Sequence, residues 1–211
     1  MGRPLGKRNP DYERKRRDLA VQLLDALVDA DGRPQSMSKI AGVAGVSLPT
    51  LKHYFGSYDG VVEAAMQAHA DVGRQHYAHL LEPGDRTLHQ VLRDWLSGLH
   101  VAWVRFGAGK RLATGLSVGL GSASRGPLFV NHQLEPTLQA GEILLHRLQE
   151  RGDIDVVDVR AAALALVGPV VLALLHQVDL LGSQCRPLDV DAFIDVHIDS
   201  WLKGHQANPE S

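Results

Sequence analysis

Side chains that can hydrogen-bond to a polyanion are concentrated in one short stretch of the chain, residues 36–54. Ser47 and Thr50 carry hydroxyl groups, and Lys52 and His53 follow shortly after them. Hydroxyl, ammonium and imidazole groups at helical spacing suit contacts to phosphates and to base edges, because each of them can donate a hydrogen bond. The chemistry that this stretch favours is therefore recognition of a nucleic acid.

Other reactive residue types give no catalytic or metal-binding set. His69, His76 and His79 share a predicted helix, but no cysteine or nearby carboxylate completes a ligand set, so we expect exposed histidines. The run Gly119–Ser122 resembles a phosphate-binding loop but lacks a preceding strand and a following Gly-Lys-Ser/Thr. The lone Cys185 favours a bystander thiol over a redox sensor. We expect no enzymatic activity, no metal and no cofactor.

Three aspartates recur at four-residue spacing near the end of the chain: Asp191, Asp195 and Asp199. They could bind a cation, but like charges in one row favour solvent, so we predict a solvated acidic face.

Two short helices should position the polar stretch. Ser36 is a plausible N-cap for a helix to about Ala44, and Ser47 for a second helix, Leu48 to Phe55. Gly45 between them can adopt the positive φ that ends the first helix. Paired short helices with a glycine-containing turn make a helix-turn-helix unit, whose second helix enters the major groove of DNA.

This stretch resembles the DNA-binding signature of TetR-family regulators. Residues 40–57 read I-A-G-V-A-G-V-S-L-P-T-L-K-H-Y-F-G-S, against a family pattern of approximately I-A-x-x-A-G-V-S-x-G-T-L-Y-x-Y-F-x-S-K. The departures are Pro49, Lys52 and Tyr58, where the family usually has glycine, tyrosine and lysine. The resemblance implies DNA-binding roles for Ser47, for Leu48, Thr50, Lys52 and His53 facing the groove, and for Ser36, Lys39, Tyr54, Arg14 and Arg17 on phosphates.

Composition and periodicity predict an all-α protein with three segments. Residues 1–10 read as a flexible basic arm, 11–57 as the DNA-binding domain and 58–205 as a helical domain. Residues 1–55 carry a net charge of +4 and the remainder −6, which is typical of a polyanion-binding head on another body. We expect no apolar run of the length of a membrane span, and one cysteine gives no internal disulfide, so we expect a cytoplasmic protein without membrane contact.

The resemblance also implies that the helical domain forms a homodimer and binds a small-molecule effector. A wide apolar stripe in the last helix marks the dimer interface: Phe193, Ile194, His197 and Trp201. Aromatic and polar residues on several helices are candidates for the ligand site: Trp95, Trp103, Phe106, Phe129, His132, His146, His176 and Gln177. The sequence predicts a repressor released from a palindromic operator by a ligand. The alternative is a helical small-molecule-binding protein whose DNA-binding head is degenerate, which Pro49 and Tyr58 favour.

Overall fold

The computed structural model describes residues 10–205 and residue 207, without the side chains of residues 10 and 71–78. The predicted arm at 1–10, apart from the backbone of residue 10, and the side chain of His76 lie outside the described residues. The α-helices among the described residues are α1 (Pro10–Leu23), α2 (Met37–Val43), α3 (Leu48–Phe55), α4 (Tyr58–Tyr77), α5 (Leu88–Arg105), α6 (Ala108–Gly119), α7 (Arg125–Phe129), α8 (Glu135–Glu150), α9 (Val159–Leu174) and α10 (Val190–Leu202). The same part of the chain contains no strand, only an isolated bridge between Val28 and Pro34, so the all-α prediction is confirmed.

The helices group into two compact units. Unit 1 combines the residues up to Val72 with Thr114–Gln133, and unit 2 combines Gly73–Ala113 with the residues from Leu134 onward. The predicted domain boundary at residue 57 falls inside unit 1, because the first half of α4 buries Val62 and Met66 there. The functional division of the chain at that boundary stays a prediction.

Unit 1 consists of α1 to α3, the first part of α4, the second half of α6 and the whole of α7. Its buried apolar side chains recur at helical spacing, as Leu19, Leu23 and Leu27 do along and just beyond α1. Gly115 of α6 lies so close to the Phe129 ring that an added Cβ would be 2.2 Å from Cδ2, so only glycine allows this approach. The segment 114–133 also meets the N-terminal part of unit 1 through polar contacts, since the Ser117 hydroxyl donates to the carbonyl of Gly32.

Unit 2 has its core between α5, α8, α9 and α10. Side chains of all four helices are buried in one cluster, including Trp95, Leu144, Leu166 and Ile198. Three of these helices begin with side-chain caps: Thr87 with Gln90 forms a capping box on α5, Asp158 caps α9 and Asp189 caps α10.

The helix α9 with its π-helical extension is the longest apolar segment among the described helices. Val159–Asp179 spans 21 residues and contains an 18-residue window with a mean hydropathy of 2.0, which meets the length and composition of a membrane span, so the prediction of no such run is wrong. Core helices pass the same test, and α9 packs against α8 and α10, burying Ala163, Leu166 and Val170.

Two segments between the core helices contain residues that often interrupt helices. Residues 107–126 are rich in glycine, yet α6 occupies Ala108–Gly119. A π-helical turn, Val130–Leu134, separates α7 from α8, so Pro136 falls in the first turn of α8, where its missing N–H costs no hydrogen bond.

Candidate nucleic-acid interface

The α2–turn–α3 unit forms as its local sequence predicts. The Ser36 hydroxyl accepts a hydrogen bond from the backbone N–H of Lys39, and Ser47 accepts one from Thr50, at 3.2 Å. Gly45 between the two helices has φ +66°, and the N–H of Val46 donates to the carbonyl of Ala41 at 3.0 Å. Both caps and the turn are therefore local features that fix the angle between α2 and α3.

The second helix has a buried face and an outward face. Leu51 and Phe55 are buried, as is Ile40 of α2, while Lys52 and His53 are exposed. The side chains expected at the DNA surface are exposed at Arg14, Arg17, Ser36, Lys39, Ser47, Lys52 and His53, and half-buried at Leu48, Thr50 and Tyr54. The structure thus brings the residues of α2 and α3 onto one solvent-accessible helix-turn-helix unit.

The hydroxyl groups of Ser47 and Thr50 also contact each other, at 2.7 Å. Each hydroxyl retains acceptor capacity, so this contact orients the pair at the N-terminus of α3 without consuming it. Arg14 has a carboxylate partner in the free protein, Asp11 on the same helix, and Lys15 lies 3.5 Å from the same carboxyl group. Both pairs are exposed, and exposed pairs of this kind are weak enough to exchange partners.

Two residues of α1 pack against α3, and no sequence motif indicated either contact. The Tyr12 ring stands at 89° to the His53 ring with centroids 5.6 Å apart, and it lies 5.0 Å from the Tyr54 ring. Arg16 donates to the carbonyl of Tyr54 at 3.3 Å, and its guanidinium lies over the Phe55 ring. The Arg16 side chain is therefore half-buried against α3, unlike the exposed Arg14 and Arg17 of the same helix.

The departures from the expected signature have distinct structural effects. Pro49 lies in the first turn of α3, where a proline N–H is not needed. The Tyr58 hydroxyl is buried and has no hydrogen-bond partner among the described residues, and burial raises the pKa of this phenol. Arg125 of α7 lies over the Tyr58 ring and 3.3 Å from the carboxylate of Asp59, which ties α7 to the start of α4.

The eight candidate ligand residues do not form one cluster within either unit. Phe129 and His132 lie in unit 1, and the other six lie in unit 2. Trp95 is fully buried in the core of unit 2, and Phe106, expected near the inner face of its helix, is 53% exposed. The ligand roles of these residues stay predictions.

Three members of that set have hydrogen-bond partners, namely Trp103, His176 and Gln177. The Trp103 indole donates to the Asp179 carboxylate at 2.6 Å. The Gln177 side chain is buried, donates to the carbonyl of Arg186 and accepts from the N–H of Leu188, so it secures the loop before α10. His176 is exposed and contacts the Gln177 amide, and His146 is exposed on α8.

The predicted dimer residues face the core of their own unit. Ile194 and Trp201 are buried, the Trp201 indole donates to the carbonyl of Ala162, and the His197 imidazole lies 2.9 Å from the carbonyl of Leu166. Phe193 is half-buried and stacks on His197 with centroids 5.8 Å apart. Phe193 and His197 remain half-exposed, and the assignment of this stripe to a dimer interface stays a prediction. The outward apolar residues of the last two helices are Leu164, Leu172 and Val196.

The acidic row of α10 is paired with α5 and is not simply solvated. The pairs are His89 with Asp199, Arg93 with Asp195 and His100 with Asp191, at 3.5, 2.7 and 3.1 Å. The hydrogen bond from Arg93 lowers the pKa of Asp195 below its ordinary value. Among the described residues no group of three His, Cys, Asp or Glu side chains could hold a metal ion. His69 instead contacts the carbonyl of Val21 at 3.0 Å, and Cys185 is exposed.

These features define an all-α protein with a helix-turn-helix unit near its N-terminus. No protein-family model and no curated protein sequence matches the chain. Solved structures do match it. One is described as a putative TetR-family transcriptional regulator from Mesorhizobium loti, with a TM-score of 0.73, 16% identity and coverage of 94% of this chain and 100% of that one.

Two further matches have the same architecture. A TetR transcriptional regulator from Agrobacterium tumefaciens has a TM-score of 0.66 and 21% identity, covering 95% of this chain and 97% of its own. SmeT, the repressor of the Stenotrophomonas maltophilia efflux pump SmeDEF, has a TM-score of 0.62 and 16% identity, covering 94% of each chain. The chain has the fold of TetR-family transcriptional regulators.

Proposed function

We propose that the chain is a DNA-binding transcriptional regulator of the TetR type, in which α3 enters the major groove of duplex DNA. The observation that carries the proposal is the doubly capped α2–α3 unit, which buries Leu51 and Phe55 and presents Lys52 and His53 to solvent. The site contains no catalytic constellation, so the proposal is a binding function without enzymatic activity, in the cytoplasm, where the DNA is.

Selection from random-sequence duplexes tests this proposal. We expect the full chain to enrich a near-palindromic sequence and to bind it with strong salt dependence. Lys52→Ala should change the preferred bases or weaken binding, because a lysine on the outward face can contact guanine or phosphate. Asp195→Ala, on α10, should leave the preference unchanged. Failure to enrich any sequence, or binding that is insensitive to salt, contradicts the proposal.

The proposed regulator acts as a homodimer through the outward apolar residues of α9 and α10. A dimer places two recognition helices about 34–36 Å apart on successive turns of DNA. Leu164, Leu172 and Val196 are all more than half exposed, and exposed apolar side chains of this kind can be buried by a second copy. Leu164→Glu should convert the dimer to a monomer in analytical ultracentrifugation, while Val157→Glu, at an exposed loop position, should not. A monomeric wild-type protein contradicts this part.

The proposed regulator is a repressor that a small molecule releases from its operator. Support comes from two neighbours: SmeT is described as a repressor, and another matching structure, FrrA, as a flavonoid-responsive regulator, with a TM-score of 0.66 and 18% identity. A compound that stabilises the purified protein in a thermal-shift screen should lower its operator affinity, because binding of the compound and binding of the operator are thermodynamically coupled.

A second candidate is a small-molecule-binding protein with a degenerate DNA-binding head, which the buried, unpartnered phenol of Tyr58 favours. Thermal-shift hits without any enriched DNA sequence would support it instead.

A further inference from the structure

The side chain of Tyr12 reaches from α1 to the exposed end of α3. Its ring stands edge-on to His53 at 5.6 Å and 89°, and lies 5.0 Å from Tyr54 at 35°. The Tyr12 hydroxyl donates to the carbonyl of His53 at 3.4 Å. One side chain therefore contacts both the ring and the backbone of the same recognition-helix residue, which is 41 positions away in sequence.

The exposed imidazole of His53 has one other ring neighbour among the described residues, Tyr54, with ring centroids 5.4 Å apart. The terminal ring torsion of histidine is broad, so an unrestrained His53 would sample many orientations. Edge-to-face contact with a neighbouring ring selects among them, since the positive ring edge prefers the negative face of its partner. Arg16 adds a second restraint to the same turn by donating to the carbonyl of Tyr54 at 3.3 Å.

We propose that Tyr12 is a positioning residue for base recognition: it holds the His53 imidazole in the orientation in which it meets the DNA. The inference rests on the proposed function, because it assigns a role within the same interface. Tyr12 itself contacts no base and acts through His53. Its loss should therefore change which base pairs are preferred and should not change the number of phosphate contacts.

The first test needs no DNA. Imidazole resonances of His53, recorded by NMR on the free full-length chain, should shift in Tyr12→Leu because the neighbouring ring current is lost. They should remain close to wild type in Tyr12→Phe, which keeps the ring, and in Gln22→Ala, an exposed change on α1. Unchanged His53 resonances in a folded Tyr12→Leu protein overturn the proposal whatever the DNA results are.

The second test measures binding to the selected duplex and to its single-base-pair variants. Tyr12→Leu should reduce discrimination by about 2- to 12-fold at the base pairs where His53→Ala also reduces it. The salt dependence should stay that of wild type, Tyr12→Phe should retain most of the discrimination, and the double variant should discriminate no worse than His53→Ala alone.

Two results separate failure of this inference from failure of the proposed function. An equal loss of affinity on all duplexes, additive with His53→Ala, means that Tyr12 only stabilises the fold and overturns the inference. A wild-type chain that binds no duplex overturns the proposed function and the readout role together, while the NMR result still reports whether the rings pack.

Discussion

Replacing Lys39 with alanine provides a quantitative test of the interface. Lys39 lies in the first turn of α2 with its side chain exposed, so its ammonium group adds to the positive end of the helix dipole. A cation at that position is mildly unfavourable for the isolated protein, and alanine is the better helix former. Lys39→Ala should therefore fold with unchanged or slightly higher thermal stability while it binds DNA less well.

The size of the effect follows from counterion release. Each phosphate contact contributes about −0.9 to the slope of log K against log salt concentration, so loss of one contact in each half of a dimer reduces the slope by about 1.8. When the salt concentration is raised from about 50 to about 200 mM, the fold-loss of DNA affinity should be about 12 times smaller for the variant than for wild type.

Fluorescence anisotropy with labelled operator at several salt concentrations measures this slope. Lys110→Ala, at an exposed lysine of α6, is the matched control and should keep the wild-type slope. A wild-type slope in Lys39→Ala would refute the assignment of Lys39 to a phosphate, and a reduction by about 0.9 would indicate one contact per complex.

Two further predictions concern unit 2. Gly141→Ala should lower the urea midpoint of unfolding, because the new Cβ would lie 2.7 Å from Cη2 of the buried Trp95. Overpacking costs about 1–3 kcal/mol, against about 1 kcal/mol gained in helix propensity. The control Gly42→Ala, whose Cβ would have no atom within 4 Å beyond its chain neighbours and its own helix backbone, should not lower the midpoint, and equal midpoints for the two variants would contradict the packing argument. Arg93→Gln should raise the pKa of Asp195 toward its ordinary value of 3.8, as carboxyl NMR would show. Since the pKa of Asp195 is lowered in the folded protein, the stability that the pair contributes is present above about pH 4 and is lost as pH falls through the folded pKa. The free energies of unfolding of wild type and Arg93→Gln should therefore become equal in acid. A stability difference that persisted in acid would contradict the pairing.

The helix-turn-helix unit could be predicted from the sequence because its determinants are local. Ser36 and Ser47 act on N–H groups three residues away, and Gly45 needs only its own φ. The braces of this unit could not be predicted, since Tyr12 and Arg16 meet α3 across about 40 residues of chain, and no local pattern records which faces of two helices meet.

The C-terminal half shows a different limit. The stripe with Ile194 and Trp201 consists mainly of apolar residues, but periodicity cannot distinguish a face directed at the core from one directed at another copy. Glycine-rich segments are often irregular, whereas Gly109 and Gly115 of α6 lie against Trp103 and Phe129 and serve close packing. A glycine's local sequence does not record which ring will pack against it in the fold.

The composition of unit 1 has a consequence for how the chain folds during synthesis. Residues 114–133 complete this unit through Arg125 with Asp59, Ser117 with Gly32, and Gln133 with the carbonyl of Met66, pairs separated by 66 to 85 positions. Contacts of such high sequence separation form late and slow folding. When only the helix-turn-helix stretch has left the ribosome, the residues that complete unit 1 are still missing. DNA-binding competence should therefore appear only after α7 emerges.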